Sequence, residues 1–253
     1  MGFATIEGRN VFYQFPSEAE ANVRQGHTVL MVHGAYDDHR VWRYQYSYLE
    51  RGNTPISIDL PGHGSSEGPT INKPEEFRSF IKAFVDIMGL SPFVFAGHSM
   101  GGSMALDYAI HHPDDVKGLV LVGSAPYWKL SNELIELWKT DPEAARSRNL
   151  DYLFSKQTHK RIRTEYGNQL ASTSVEACLA DSENCVLYDL GKFINAIKSS
   201  ALVICGDEEE WIQGSKEIQA ELSNSRLEVV QGAGHAILIE QPILFNDAMG
   251  SYL

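Results

Sequence analysis

The chain has 253 residues, a formal net charge of −12, 43% hydrophobic residues and 21% charged residues. This is the balance of a globular protein with one large domain, or one domain carrying an insertion, long enough to bury a substantial core. The acidic balance argues against nucleic acid or an anionic membrane surface as the main partner, and no stretch approaches the roughly 20 apolar residues that span a bilayer.

The chain opens with two short strand candidates, Ala4–Glu7 and Val11–Phe15, divided by the turn formers Gly8, Arg9 and Asn10. Thr28–Val32 is a continuous apolar run, as expected of a strand buried on both faces. Pro55–Asp59, Pro92–Ala96, Gly118–Val122, Ala201–Cys205 and Leu227–Val230 continue the series. Helical stretches at about Val41–Arg51, Pro74–Met88 and Gly101–His112 separate most of the early ones. Strands alternating with helices predict an α/β architecture, a mostly parallel sheet covered on both faces. The rhythm stops after Val122 and resumes at Ala201. Between them lie helix-like patches, among them Asn132–Thr140, Pro142–Phe154 and Ser174–Ala180, with no buried strand. The expected organisation is therefore a core of residues 1–125 and 199–253, with residues 126–198 inserted over one end of the sheet. No internal repeat or low-complexity tract is visible.

Cys178, Cys185 and Cys205 are odd in number and form no C-x-x-C pair, which speaks against a disulfide framework or a zinc site. A reducing compartment suits all three. The N-terminus shows no basic segment followed by an apolar one, so the expected location is cytoplasmic.

The chemistry centres on Gly97-His98-Ser99-Met100-Gly101, between the apolar strand candidate and a helix candidate. A serine on so sharp a strand-to-helix turn occupies strained backbone, and its neighbours must lack bulk. The following helix points free N–H groups at the serine, where negative charge develops. A nucleophilic serine needs a base, and the base needs an orienting acid; on this turn the chain order is serine, acid, histidine. His235, in Gly232-Ala233-Gly234-His235 after the last strand, is the expected base. The acid is expected in the loop after Ala201–Cys205, which offers Asp207, Glu208, Glu209 and Glu210. Mutual repulsion must turn some of these four into solvent. Oxyanion donors are expected from the backbone N–H groups of Met100 and of Ala35, in the loop His33-Gly34-Ala35-Tyr36.

Four motifs in order, His33-Gly34, Asp59–Ser66, Gly97–Gly102 and Gly234-His235, resemble the α/β-hydrolase superfamily over nearly the whole chain. The resemblance implies an eight-stranded sheet with a helical cap between its sixth and seventh strands, where Pro126–Lys198 falls. It also implies that the acid sits three residues beyond the glycine ending the seventh strand, which is Glu209 here. An aspartate is usual there, and a glutamate needs its loop set back by one methylene.

Other residues carry plainer expectations. Asp59 and His63 are read as a structural turn, His33 as a loop organiser and His98 as a packing residue turned away from the site. Asp37-Asp38-His39 is read as a surface loop rather than a metal site, since three adjacent side chains converge poorly on one ion. Tyr36, Tyr127 and Trp128 are candidates for lining the substrate pocket. The expected function is hydrolysis of small or medium carboxylic esters through a Ser99–His235–Glu209 triad, with no metal or other cofactor. The same motifs would serve a carbon–carbon bond hydrolase of meta-cleavage type or an enol-lactonase. They would also suit a non-enzymatic receptor that binds a ligand in the hydrolase pocket. Turnover separates the receptor from the enzymes.

Overall fold

A computed structural model describes residues 1–16 and 26–253. Eight strands form one sheet: β1 (Gly2–Ile6), β2 (Arg9–Gln14), β3 (Thr28–Val32), β4 (Thr54–Ile58), β5 (Phe93–His98), β6 (Val116–Val122), β7 (Ser200–Gly206) and β8 (Ser225–Val230). Their spatial order is β1-β2-β4-β3-β5-β6-β7-β8. β1 and β2 are antiparallel, β2 runs antiparallel to β4, and β3 to β8 are parallel to one another.

The apolar runs reflect burial on both faces. In β3, Leu30 and Val32 pack with Phe77, Phe80 and Phe95 on one side, while Val29 and Met31 pack with Trp42, Val94 and Phe245 on the other. Alternate side chains of a strand point to opposite faces, so both sets must be apolar when helices cover both.

The helices are α1 (Arg43–Leu49), α2 (Pro74–Met88), α3 (Met100–His111), α4 (Asn132–Thr140), α5 (Pro142–Leu153), α6 (Lys160–Leu170), α7 (Val175–Cys185), α8 (Ile212–Glu221), α9 (Ile237–Glu240) and α10 (Pro242–Tyr252). α2 shows how sequence sets an element. Proline opens it, Glu75 and Glu76 occupy the positive first turn, and Phe77, Phe80, Ile81, Phe84 and Val85 make one buried stripe. Gly89 in the left-handed conformation closes it.

Four of these helices, α4 to α7, lie between β6 and β7 in the chain. The sequence reading holds Asn132–Thr140 unchanged, whereas Ser174–Ala180 extends to Cys185 and the helix at Lys160–Leu170 goes unmarked. That helix buries only Tyr166, Gln169 and Leu170, too short a stripe to stand out among its charges. The predicted helix at Val41–Arg51 divides into a tight turn at His39–Trp42, capped by Asp38, followed by α1.

In the strand order, β4 flanks β3 on one side and β5 on the other. The connection from β3 runs to β4 and that from β5 runs to β6, in opposite directions, which opens a crevice at the carboxyl ends of β3 and β5, where open parallel sheets bind ligands.

Candidate active site

Ser99 lies at that crevice, immediately after β5 and before α3. Its backbone is at φ 54°, ψ −119°, a left-handed conformation that a non-glycine residue adopts only under constraint. Close packing supplies the constraint. A Cβ on Gly97 would lie 2.2 Å from the Gly101 carbonyl oxygen, and one on Gly101 would lie 2.5 Å from that of Val32. The turn therefore closes tightly on both its own helix and β3. Met100 opens α3, so its N–H is one of the first-turn donors that have no acceptor within the helix.

His235 follows β8 in a loop tied down by Glu240, whose Oε2 accepts the Gly234 N–H at 2.7 Å. The same carboxylate accepts the Ser155 N–H at 2.7 Å, joining this loop to the stretch between β6 and β7. His235 Nδ1 donates to Glu209 Oε1 at 2.6 Å, and both side chains are nearly inaccessible. A hydrogen bond this short between an imidazole and a buried carboxylate fixes the ring tautomer and its orientation.

The structure sorts the four acids after β7 by burial and partner. Asp207 is exposed and accepts the Gly232 N–H at 2.7 Å, bracing the loop before His235. Glu208 is exposed and accepts from Ser155 Oγ at 2.9 Å. Glu210 stands exposed at the cavity margin. Glu209, 3% exposed, is the buried one and the one bonded to His235.

Ser99 and His235 line one cavity of about 460 Å³. The end of β5 and the loops at the sheet's carboxyl edge contribute His98, Ala35, Tyr36 and Trp211 to its wall. The stretch between β6 and β7 contributes Trp128, Leu134, Tyr152 and Leu153 among others. Of the aromatic candidates, Tyr36 and Trp128 are in the wall. Tyr127 is not: it forms a bridge with Asp189 and carries Lys129 over its ring. Adjacent residues of extended backbone point opposite ways, so turning Trp128 inward turns Tyr127 out. Trp128 is held by its Nε1–H, which donates to Ser103 Oγ at 2.9 Å.

Two further expectations are corrected. His98 does not turn away from the site. It lines the cavity, its Nε2–H donates to the His235 carbonyl at 3.1 Å, and the two rings lie 5.0 Å apart. Burial, reinforced by His235, pushes its pKa down to about 3, which keeps the ring neutral beside that imidazole. No motif marks this contact, because it depends on where β8 returns. Nor is Asp37-Asp38 a surface loop: both side chains are buried, Asp38 against Arg40 and Asp37 against Tyr166 and Gln169. Asp38, His39 and Asp59 bring one ligand atom each within 4.8 Å of one another. Their hydrogen bonds account for the cluster: Asp59 Oδ1 accepts the His39 N–H and ring at 2.7 and 2.8 Å, and its Oδ2 accepts the Ser65 N–H at 2.8 Å. Asp59 thus organises the turn expected of it. His33 bridges two loops, accepting the Leu60 N–H at 3.0 Å and donating to the Gly34 carbonyl at 2.8 Å. Burial, with His63 second, holds its pKa down at about 4.

A strained serine at the carboxyl edge of a mostly parallel eight-stranded sheet, with a buried carboxylate–imidazole pair beside it, is the arrangement of an α/β hydrolase. The model of the alpha/beta hydrolase family matches residues 29–248, and the chain belongs to that family. It is 25% identical to the AB hydrolase superfamily protein YisY of Bacillus subtilis over 249 residues, covering 91% of this chain and 93% of that one. In structure it resembles an esterase (EaEST) from Exiguobacterium antarcticum, with a TM-score of 0.90 at 23% identity, covering 100% and 99% of the two chains. It resembles the enol-lactonase from Burkholderia xenovorans LB400 equally well, at 20% identity, a TM-score of 0.90 and coverage of 99% and 98%. At these identities the two structures establish the shared fold. Among the described residues, no helix is long and apolar enough to cross a membrane.

Proposed function

We propose that the protein is a serine esterase acting on small or medium acyl esters. The observation that carries the reading is the buried 2.6 Å hydrogen bond from His235 to Glu209, with His235 lining the same cavity as the strained Ser99. In this reading Ser99 Oγ attacks the ester carbonyl while His235 Nε2 takes its proton. Glu209 holds the imidazole tautomer and stabilises the imidazolium. The Ala35 and Met100 amides receive the oxyanion. His235 then protonates the leaving alcohol, an acyl-enzyme remains on Ser99, and water activated by the same base releases the acid.

The cavity supports the size of the acyl group. About 460 Å³ lies within the range of small-molecule sites, and Trp128, Leu134 and Leu153 give it apolar wall. Residues 126–198 act in this reading as a cap, supported by their contribution of cavity wall opposite the sheet-edge loops. The three buried, unpaired cysteines are in keeping with a reducing compartment.

Steady-state hydrolysis of p-nitrophenyl acetate, butyrate, octanoate and palmitate, with Ser99→Ala beside the parent, tests the proposal. The expected result is multiple turnover that peaks at a short or medium chain and falls by on the order of 10⁶ in kcat in the variant. A loss under tenfold would remove Ser99 as the nucleophile. Well-folded protein that turns over none of the esters would overturn the esterase reading, and a dienoate would be the next substrate.

A further inference from the structure

Tyr36 follows the proposed oxyanion donor Ala35, and its backbone is held at φ 71°, left-handed for a residue that is not glycine. Its own loop does not secure it. The Tyr36 N–H donates to Asp181 Oδ2 at 2.6 Å, its carbonyl accepts from Thr173 Oγ1 at 2.7 Å, and its hydroxyl pairs with Ser182 Oγ at 2.7 Å. All three partners lie in or just before α7, in the stretch between β6 and β7.

Asp181 is fully buried on α7, where an unpaired carboxylate would be costly. Its partner is His63, from the Asp59–Ser66 motif, whose Nε2 lies 3.0 Å from the same Oδ2. His63 Nδ1 lies 3.2 Å from the Pro61 carbonyl, which only accepts. The carbonyl calls for a proton on Nδ1, and the Nε2–Oδ2 contact is a buried ion pair when the ring holds the second proton as well. Burial pulls the His63 pKa down, but Asp181 outweighs it and carries it above the ordinary value.

We propose that Asp181 is a positioning residue for the oxyanion hole: it anchors the Ala35–Tyr36 peptide through the Tyr36 N–H, and so holds in place the loop whose adjoining Gly34–Ala35 peptide presents the Ala35 N–H, with His63 as its counter-ion. The inference rests on the serine esterase reading. It makes α7 part of the apparatus that sets the site, and it gives His63 a role beyond the turn its motif implies. A left-handed tyrosine is strained backbone and persists only when its surroundings enforce it. A charge-assisted hydrogen bond to the backbone amide is the kind of contact that enforces it.

The test compares Asp181→Ala and Asp181→Asn with the parent, using p-nitrophenyl butyrate and counting active sites with a fluorophosphonate probe. In Asp181→Ala we expect kcat per titrated site to fall about 30–100-fold with KM within about twofold, approaching the loss of an oxyanion donor. Asp181→Asn keeps an acceptor for the Tyr36 N–H, so a drop of about 3–10-fold is expected, again at constant KM. A purely structural role would lower the titrated fraction or the melting temperature and leave per-site kcat alone. Per-site kcat in Asp181→Ala within about threefold of the parent would overturn the inference. Should Asp181→Ala not fold, the asparagine variant decides: per-site kcat equal to the parent overturns the inference, and the expected drop supports it. A parent that the probe does not label at Ser99 would refute the esterase reading itself, whereas a labelled parent with unaffected variants refutes only the role of Asp181.

Discussion

Replacing Glu209 with glutamine exchanges one oxygen for an amide group and removes a charge from a site 3% exposed to solvent. In the parent, Oε1 accepts from His235 Nδ1 at 2.6 Å and Oε2 faces the Gly206 N–H at 3.4 Å. The amide cannot serve both. If its oxygen faces His235, its NH₂ opposes the Gly206 donor; if it flips, it donates to Nδ1 and forces the proton onto Nε2. In the first orientation the imidazolium loses its counter-charge. In the second the base presents the wrong tautomer to Ser99. Loss of the acid in serine triads costs about 10³–10⁴ in kcat, or roughly 4–5.5 kcal/mol of transition-state stabilisation. The assay is hydrolysis of p-nitrophenyl butyrate per titrated active site, run beside Asp207→Asn, Glu208→Gln and Glu210→Gln. These three side chains are exposed, and each variant should stay within about threefold of the parent in kcat. The reasoning would be refuted if Glu209→Gln kept a tenth or more of the activity, or if one of its neighbours matched its loss.

Two predictions concern stability. Gly101→Ala places a Cβ 2.5 Å from the Val32 carbonyl oxygen and 2.6 Å from that of His33, both backbone atoms of the central sheet edge. We expect a loss of about 1–3 kcal/mol in denaturant unfolding, against a change within about 0.5 kcal/mol for Gly52→Ala, where a Cβ would meet nothing within 4 Å; equal midpoints for the two would contradict the packing argument. Burial, with Asp38 second, raises the Asp37 pKa to about 7. The folded state therefore keeps a proton that the unfolded chain releases near pH 4. The stability this contributes is complete below that point and is lost as pH rises toward and through 7. Asp37→Asn keeps an acceptor for Gln169 and has no proton to lose, so its melting temperature should gain on the parent's between pH 4 and 8. A constant gap across that range would show that Asp37 does not titrate there.

The four acids after β7 illustrate where sequence reasoning stops. Spacing from the terminal glycine selected Glu209 only through resemblance to a family that favours a shorter side chain there. In the folded protein the choice is made by burial: three carboxylates reach solvent, and the fourth spends its desolvation cost on an imidazole. His98 shows the converse. Its position beside the serine was plain, but its hydrogen bond to the His235 carbonyl joins residues 137 apart in the chain, and no local pattern encodes that distance.

What the sequence determined by itself was whatever local sterics and periodicity decide. The parallel sheet follows from apolar runs too continuous for a strand with one wet face. The strained serine turn follows from glycines at positions where any Cβ would strike backbone. Tertiary structure decided everything that depends on contact between distant segments. Trp128 faces the cavity and Tyr127 does not. The Asp37-Asp38 pair lies buried rather than exposed, because α6 brings Tyr166 and Gln169 onto Asp37. Asp181 and His63 meet across 118 residues, a charge pair that exists only after the helices between β6 and β7 have docked on the sheet. Local pattern is written into neighbouring residues and can be read there. The pairing of buried polar groups is fixed by which surfaces exclude water together, and that is a property of the assembled chain.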